Sequence, residues 1–521
     1  MVAARAGAGV RLTELVTALS YATDLGLGQP LAHCVRRTAV AMRMADLMGA
    51  NAADREATFY VGLMANVYCH ADAAEQASWF GDDIEFKSGA LAVMDMSTPQ
   101  VIATLLRLAA SHGSGLHRVR NVAALSGMRK RVTDFLTTHT TLASRFATQI
   151  GLHPTVANAI QQFYEQWDGK GLPERLRGEQ IGLPARLVQL AGPVEVFGRR
   201  GVDAARRVAR RHRGTQFAPD VVDLFCDHAP ELLDGLDAAA DWDTFLDGQP
   251  ILSRMVNGDT LDRILEAMAD LVDMKSPFFA GHSRGVANLA AAAATLLGWP
   301  VDEVAVVRRA GLLHDLGRLG VSNSILDRPG RLSAAERERV RLHPYLTDRM
   351  LAGIDALGSS RTVAGRHHER LDGSGYPHGL TAATLTPADR LLAVADAYHA
   401  MTEPRPHRDP LEPQRAAALI REESAAGRLD ADAADAVLKA AGHRSSVRRA
   451  RPAGLTEREV QILALVARGL SNREIAARLV VTPKTVSNHV EHIYAKAAVS
   501  SRAAATLFAT RHGLVGAYEA D

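Results

Sequence analysis

The residues best equipped for chemistry are histidines and aspartates that recur through the middle of this 521-residue chain. His282, His314-Asp315, His343, His367-His368 and Asp396 stand 32, 29, 24 and 28 residues apart. Each interval is about one helix plus a turn, so a helical bundle can project one donor set from each helix into a shared core. Imidazole mixed with carboxylate suits Fe, Mn or Zn. A lone histidine on a helix is ordinarily a surface or core residue. Paired His-Asp and His-His at this spacing are what argue for a site.

The elements that must position these donors are helices. Val286, Leu289, Ala290 and Ala293 follow His282 at i+4, i+7, i+8 and i+11, one apolar stripe. Ser333 with Glu336 forms a capping box that predicts the start of the helix carrying His343. With 47% hydrophobic, 23% charged and only 5% aromatic residues, the chain has the balance of an ordinary globular protein and reads as mostly helical. Its length calls for two to four domains. There is no run of 18 apolar residues, and the best stretch, residues 286–299, is interrupted by Asn288 and Thr295. Arg5, Arg11 and Glu14 break up any apolar N-terminal run, so no secretory signal is read and the expectation is a cytoplasmic protein without a membrane partner. Cys34, Cys69 and Cys226 lack ligand-like spacing and are expected as free thiols.

A degenerate repeat precedes the histidine-rich segment. Aligning His33 with His282, an offset of 249, puts Gly62-Leu63-Met64 under Gly311-Leu312-Leu313 without a gap. At an offset of 204, residues 163–173 (FYEQWDGKGLP) lie under residues 367–377 (HHERLDGSGYP), and Arg186-Leu187 falls under Arg390-Leu391. The first copy is then 45 residues longer between these blocks. Two copies of one helical domain account for the match. Where the second has His314, Asp315, His367, His368 and Asp396, the first has Ala65, Asn66, Phe163, Tyr164 and Gly192. It is expected to be metal-free, with a structural or sensory role.

His314-Asp315-Leu-Gly followed by His367-His368-Glu-Arg-Leu-Asp-Gly-Ser-Gly-Tyr-Pro resembles the HD-GYP branch of the HD phosphohydrolases, over residues 275–440. The resemblance implies an all-helical domain that binds divalent metal ions and hydrolyses cyclic di-GMP. It implies that His282, His314, Asp315, His343, His367, His368 and Asp396 are the metal ligands. Asp315 is then the candidate to bridge two ions and orient a water for in-line attack on phosphorus. Asp372, Gly373, Gly375, Tyr376 and Pro377 would shape the substrate pocket, although a plain tight turn has the same composition. After His-Asp-x-Gly the family usually has Lys facing the phosphate; Arg318 stands here and keeps the charge. Members with three metals have Glu four residues before the first His, where this chain has Phe278, so two divalent ions are expected.

The last part of the chain differs in charge. From Arg444 onward there are 12 Arg and Lys against 6 Asp and Glu, whereas the whole chain carries only +2. A solvated basic face or phosphate attraction would both produce this. After a linker at 443–454 come capping boxes at Thr456/Glu459 and Ser471/Glu474, then Thr482 with Pro483 opening a third helix, and an Ala-rich fourth from Arg502. Val486, Val490 and Ile493 form the third helix's apolar stripe, leaving Lys484, Ser487, Asn488 and Glu491 outward, with Thr485 at the flank and Lys496 further round. The stretches LTEREV, GLSNREIA and KTVSNHV closely resemble the LuxR/FixJ-type helix-turn-helix. That resemblance implies that Ser487, Asn488 and Glu491 face bases of double-stranded DNA and that Lys484, Thr485 and Lys496 meet phosphates.

The expected fold is therefore all-α: a degenerate HD-type domain at 10–250, an HD-GYP-like domain at 255–442, a basic linker at 443–454 and a four-helix DNA reader at 455–517. The chain is expected to act as a homodimeric transcriptional regulator with a cyclic dinucleotide, taken as cyclic di-GMP, as its small-molecule partner. The alternative is a slow or non-catalytic sensor in which nucleotide or metal occupancy controls DNA binding.

Overall fold

The computed structural model describes residues 9–92, 94, 128–248, 254–443, 452–499, 501–511 and 514. The chain forms two compact units, one ending at Arg444 and the other starting at Ser445. Most of the basic linker, residues 444–451, lies outside the described residues, as do residues 515–517 of the expected reader and the N-terminal residues through 8.

The described residues of the larger unit are mostly helical, with one ribbon in which Val10 pairs with Val256 and Arg11 with Met255, antiparallel. The repeat read from the sequence is visible in its joints. The helices His33–Leu47 and His282–Leu296 both begin after a left-handed residue, Ala32 and Gly281, that offers no capping side chain. Their free N–H groups need acceptors. A buried carboxylate from the preceding segment supplies one each time: Asp24 accepts from the Cys34 N–H at 3.0 Å, and Asp273 from the Ser283 N–H at 2.9 Å. Helix Ala52–Met64 crosses the first of these at Gly62, where an added Cβ would strike Thr38, and Val301–Leu313 crosses the second at Gly311, where it would strike Ala287. Both joints keep the offset of 249.

The loops at offset 204 match as closely. Glu165 accepts backbone N–H groups from Glu174, Arg175 and Leu176, and Glu369 accepts them from His378 and Leu380. Gly169 and Gly373 take φ of +81° and +80°, a region in which other side chains are strained. At Gly171 and Gly375 a Cβ would overlap the backbone at Glu165 and Glu369. The longer stretch of the first copy includes helices Ala73–Phe80 and Asp83–Ala92.

The copies are not separate globules: a single apolar core runs through both. Helix Leu12–Gly26 packs on the turn Leu316–Gly320 that follows His314-Asp315. A buried polar latch joins them too. Asp83 of the first copy accepts from Lys87 and Lys275 through one oxygen, and from Ser322 Oγ and the Asn323 N–H through the other. Burial and Lys87 bring the Lys275 pKa down to about 8 against the pull of Asp83.

One helix departs from expectation. The Ser333/Glu336 capping box opens Ala334–Arg341, but His343 belongs to the next helix, His343–Met350. Pro344 sits in its first turn, where a missing N–H is harmless, and the chain re-nucleates at that point.

In the smaller unit, helices Glu457–Ala467, Asn472–Leu479, Pro483–Ala497 and Arg502–Arg511 enclose a core that includes Leu463, Ile475, Val486 and Ile493. Both capping boxes form as read, and Thr482 caps the third helix.

Candidate metal centre

The interior of the second copy gathers every expected ligand. Six of the seven are buried, and His368 is partly open. The donors fall into two groups, His282 with His314 and Asp315, and His343 with His367 and His368. Asp315 lies between them. Its Oδ2 is 3.6 Å from His282 Nε2 and 3.1 Å from His314 Nε2, while its Oδ1 is 3.3 Å from His343 Nε2 and 3.8 Å from His367 Nε2. Asp396 adds Oδ1 at 3.3 Å from His282 Nε2 and Oδ2 at 3.6 Å from His368 Nδ1.

The main chain fixes the tautomers. The Nδ1 atoms of His314, His343 and His367 each meet a carbonyl three residues back, of Gly311, Val340 and Ala364, at 2.6–2.7 Å. Each ring must donate there, so each Nε2 carries a lone pair into the centre. The Nε2 atoms of His343 and His367 stand only 3.1 Å apart. Two lone pairs at that distance call for a cation, and ligands that share an ion at about 2.1 Å are spaced about 3.0–3.5 Å. Burial and neighbouring imidazoles hold His367 and His368 well below the ordinary histidine range, so they are neutral ligands. Burial raises Asp315 and Asp396, but the surrounding histidines, with Arg318 beside Asp315, outweigh it and keep both ionised. Nε2 of His282 and His314 and both Asp315 oxygens make no aligned hydrogen bond although fully buried. Orphaned donors of this kind fit divalent ions.

Several participants escaped the sequence reading. Glu403, at the end of helix Pro387–Thr402, lies 2.7 Å from His282 Nδ1 and 3.2 Å from His399 Nδ1. It orients His282 with Nε2 inward, the usual carboxylate partner of a ligating histidine. Burial opposes charge on His282, but Asp396 and Glu403 push its pKa up to about 9. The guanidiniums of Arg318 and Arg405 lie 4.6 and 5.1 Å from the Phe279 ring. The available signal was Glu403 and Arg405 at seven and nine residues past Asp396, near the end of one helix.

Arg318 Nη1 reaches Asp315 Oδ2 at 2.6 Å, so the cation contacts the carboxylate that lies between the two imidazole groups. In the GYP loop, Tyr376 packs on His368 with ring centroids 4.7 Å apart, and the Arg341 guanidinium lies 4.9 Å from the Tyr376 ring. Asp372 serves the turn, accepting from the Ser374 N–H and Oγ. Gly373 and Gly375 supply the left-handed residue and the close backbone approach, and Pro377 follows Tyr376 through a cis peptide.

The equivalent interior of the first copy is built around a guanidinium. Arg37 donates to Asn66 Oδ1 and the Gly62 carbonyl, and lies 5.9 Å from the Phe163 ring. Asn66 and Phe163 are the counterparts of Asp315 and His367, so a fixed positive charge stands where the second copy gathers its donors.

On the reader, Lys484, Asn488 and Glu491 are exposed on the third helix, with Thr485 and Ser487 partly so. Ser487 Oγ also accepts from Asn472 Nδ2 at 3.1 Å. Lys496 is drawn elsewhere: its ammonium pairs with buried Glu459 at 2.7 Å and ties the third helix to the first.

Comparison with known proteins places these features in a family. The HD domain model matches residues 124–198 and 266–433, touching both copies, and the model for bacterial regulatory proteins of the luxR family matches 453–509. The 3′3′-cGAMP-specific phosphodiesterase 3 of Vibrio cholerae is 30% identical over 417 residues, 79% of this chain and 90% of that one. A cyclic di-GMP phosphodiesterase of Thermotoga maritima is 32% identical over 154 residues, 29% of this chain and 42% of that one. The crystal structure of a V. cholerae cyclic GMP-AMP-specific phosphodiesterase aligns with a TM-score of 0.58 and 26% identity, covering 84% of this chain and 99% of that one. The chain belongs to the HD-GYP phosphodiesterases of the HD family and ends in a LuxR-family domain. Among the described residues no helix is long and apolar enough to cross a membrane.

Proposed function

We propose that the second copy hydrolyses a cyclic dinucleotide with two divalent ions held by its His and Asp set, and that the first copy supports it without metal. The observation that carries this is Asp315, whose two oxygens face two separate imidazole groups. Divalent ions bound there supply an acidified water and offset phosphate charge. The chain's own groups do the rest. Main-chain carbonyls hold three imidazoles with Nε2 inward, and Glu403 does so for His282. Arg318 and Arg405, braced on Phe279, offer cationic donors to phosphate oxygens, a role for which a planar guanidinium is suited. Tyr376 covers His368 at the open edge.

The name of the relative matched over both copies favours 3′3′-cGAMP as substrate, while those of relatives matched over shorter segments, such as the Thermotoga enzyme, favour cyclic di-GMP. Full-length protein loaded with Mn or Fe should convert at least one of these to linear product, and Asp315→Ala should not. The ratio of kcat/KM for the two nucleotides assigns the preference. Failure to cut either, where a control enzyme does, contradicts the proposal.

The LuxR-type unit is proposed to read double-stranded DNA through Ser487, Asn488 and Glu491, with Lys484 and Thr485 on phosphates and the fourth helix pairing two chains. Nucleotide occupancy of the second copy is proposed to set DNA affinity.

A further inference from the structure

The first copy holds a second reactive arrangement. Cys69 occupies the position equivalent to Arg318 at the offset of 249, beside the Asn66 that stands for Asp315. Its thiol is surrounded by donors. Asn66 Nδ2 lies 3.5 Å from Sγ, and the Tyr164 hydroxyl 3.4 Å. His139, from helix Met128–Gln149, completes the set. Its Nε2 donates to Asp72 Oδ1 at 3.0 Å, its buried Nδ1 makes no hydrogen bond, and the imidazole interacts electrostatically with the Cys69 thiol. The second oxygen of Asp72 is anchored by Gln76 Nε2 at 3.0 Å, so the carboxylate is held in place.

Cys69, His139 and Asp72 thus form one cluster, in which one ring nitrogen is committed to the carboxylate and the other makes no hydrogen bond. A chelate would need both donors to converge on one point. This order is instead that of an activated nucleophile: a thiol, a base within reach, and a carboxylate that orients the base. Donors around sulfur favour its anion. Burial raises the Cys69 pKa, but the charge and hydrogen bond of His139, with Tyr164 and Asn66, leave it below the ordinary thiol value. His139 is pushed the opposite way, up to about 10, by Cys69 and Asp72 against its own burial. The other two thiols differ: burial holds Cys34 well above the ordinary value and also raises Cys226.

We propose that Cys69, activated by His139 and Asp72, is a modification site that reacts with small oxidants of the peroxide class. In that step the Cys69 thiolate attacks one peroxide oxygen. The S–O bond forms, the O–O bond breaks, and the departing hydroxide takes the proton of His139 to leave as water. Sulfur is oxidised to a sulfenic acid, the peroxide is reduced, and His139 stays neutral on Asp72. The event falls in a loop that touches the second copy, because the adjacent His70 bonds the Leu271 carbonyl at 2.7 Å on the helix ending at Asp273, the carboxylate that caps the His282 helix.

The test uses full-length protein with limiting hydrogen peroxide, dimedone trapping and peptide mass mapping, and a parallel time course with iodoacetamide at pH 7. Cys69 should carry the dimedone adduct and should alkylate at least about tenfold faster than Cys226, which is similarly buried, and faster still than the fully buried Cys34. His139→Asn should bring its rate down to theirs. In the unaltered chain, Cys69 reacting no faster than the other two overturns the proposal, whether or not the variant folds. An unchanged rate in a folded His139→Asn variant overturns it as well.

Discussion

At the centre of the second copy four of the five histidines, His282, His314, His343 and His367, are committed twice, once to a carbonyl or carboxylate at Nδ1 and once to the interior at Nε2. Glu403 is the outermost of these commitments, and it is partly exposed. Glu403→Gln should therefore leave the fold intact and weaken metal affinity or turnover by about 10–100-fold, as outer partners of ligating histidines generally do. Metal titration with steady-state kinetics checks this, and unchanged affinity and rate would count against it. The seven residues gathered there were legible because their types are costly to bury without a partner and recur at helix-length intervals. Glu403, Arg405 and Phe279 were not. Their roles depend on where helices Pro387–Thr402 and His282–Leu296 pack together, which residue types alone do not reveal.

The repeated elements separate what the fold needs from what the chemistry needs. Glu165 and Glu369 both hold their loops by accepting backbone N–H groups, but only the second loop sits on a proposed ligand, through Tyr376 and His368. Glu165→Gln and Glu369→Gln should each cost about 1–3 kcal/mol, because a charged acceptor is weakened and buried N–H groups lose their best partner. Only Glu369→Gln should also depress kcat; an equal loss from Glu165→Gln would mean that the first copy takes part in catalysis. The matched offsets made the repeat visible from sequence, down to Gly171 and Gly375. The break before His343 was visible only as Pro344, which is compatible with a new helix start as well as with a stop. The shared core was not legible at all, since an apolar stripe on helix Leu12–Gly26 does not name the surface it covers.

Across the whole molecule, the proposed function couples a DNA-binding unit to a nucleotide site. DNA affinity should fall with salt, and Lys484→Ala should reduce the magnitude of the log–log slope by about 0.9, the share of one phosphate contact. Lys496→Ala should leave the slope unchanged and instead lower the melting temperature of the domain, because it strips the partner from buried Glu459. A slope reduced by both would return Lys496 to the phosphate-contacting set. Saturating cyclic dinucleotide, added to the Asp315→Ala variant if that variant still binds it, should shift promoter affinity by about 5–150-fold, the usual range of coupling between sites. Equal affinity with and without nucleotide would separate the two activities. All of this rests on one copy holding metal while the other holds Arg37. The most direct test is elemental analysis of metal-loaded full-length protein beside its Asp315→Ala variant. About two ions per chain in the first and fewer than about one in the second is the predicted result; a wild-type chain that retains none, or a variant that still holds two, would contradict it.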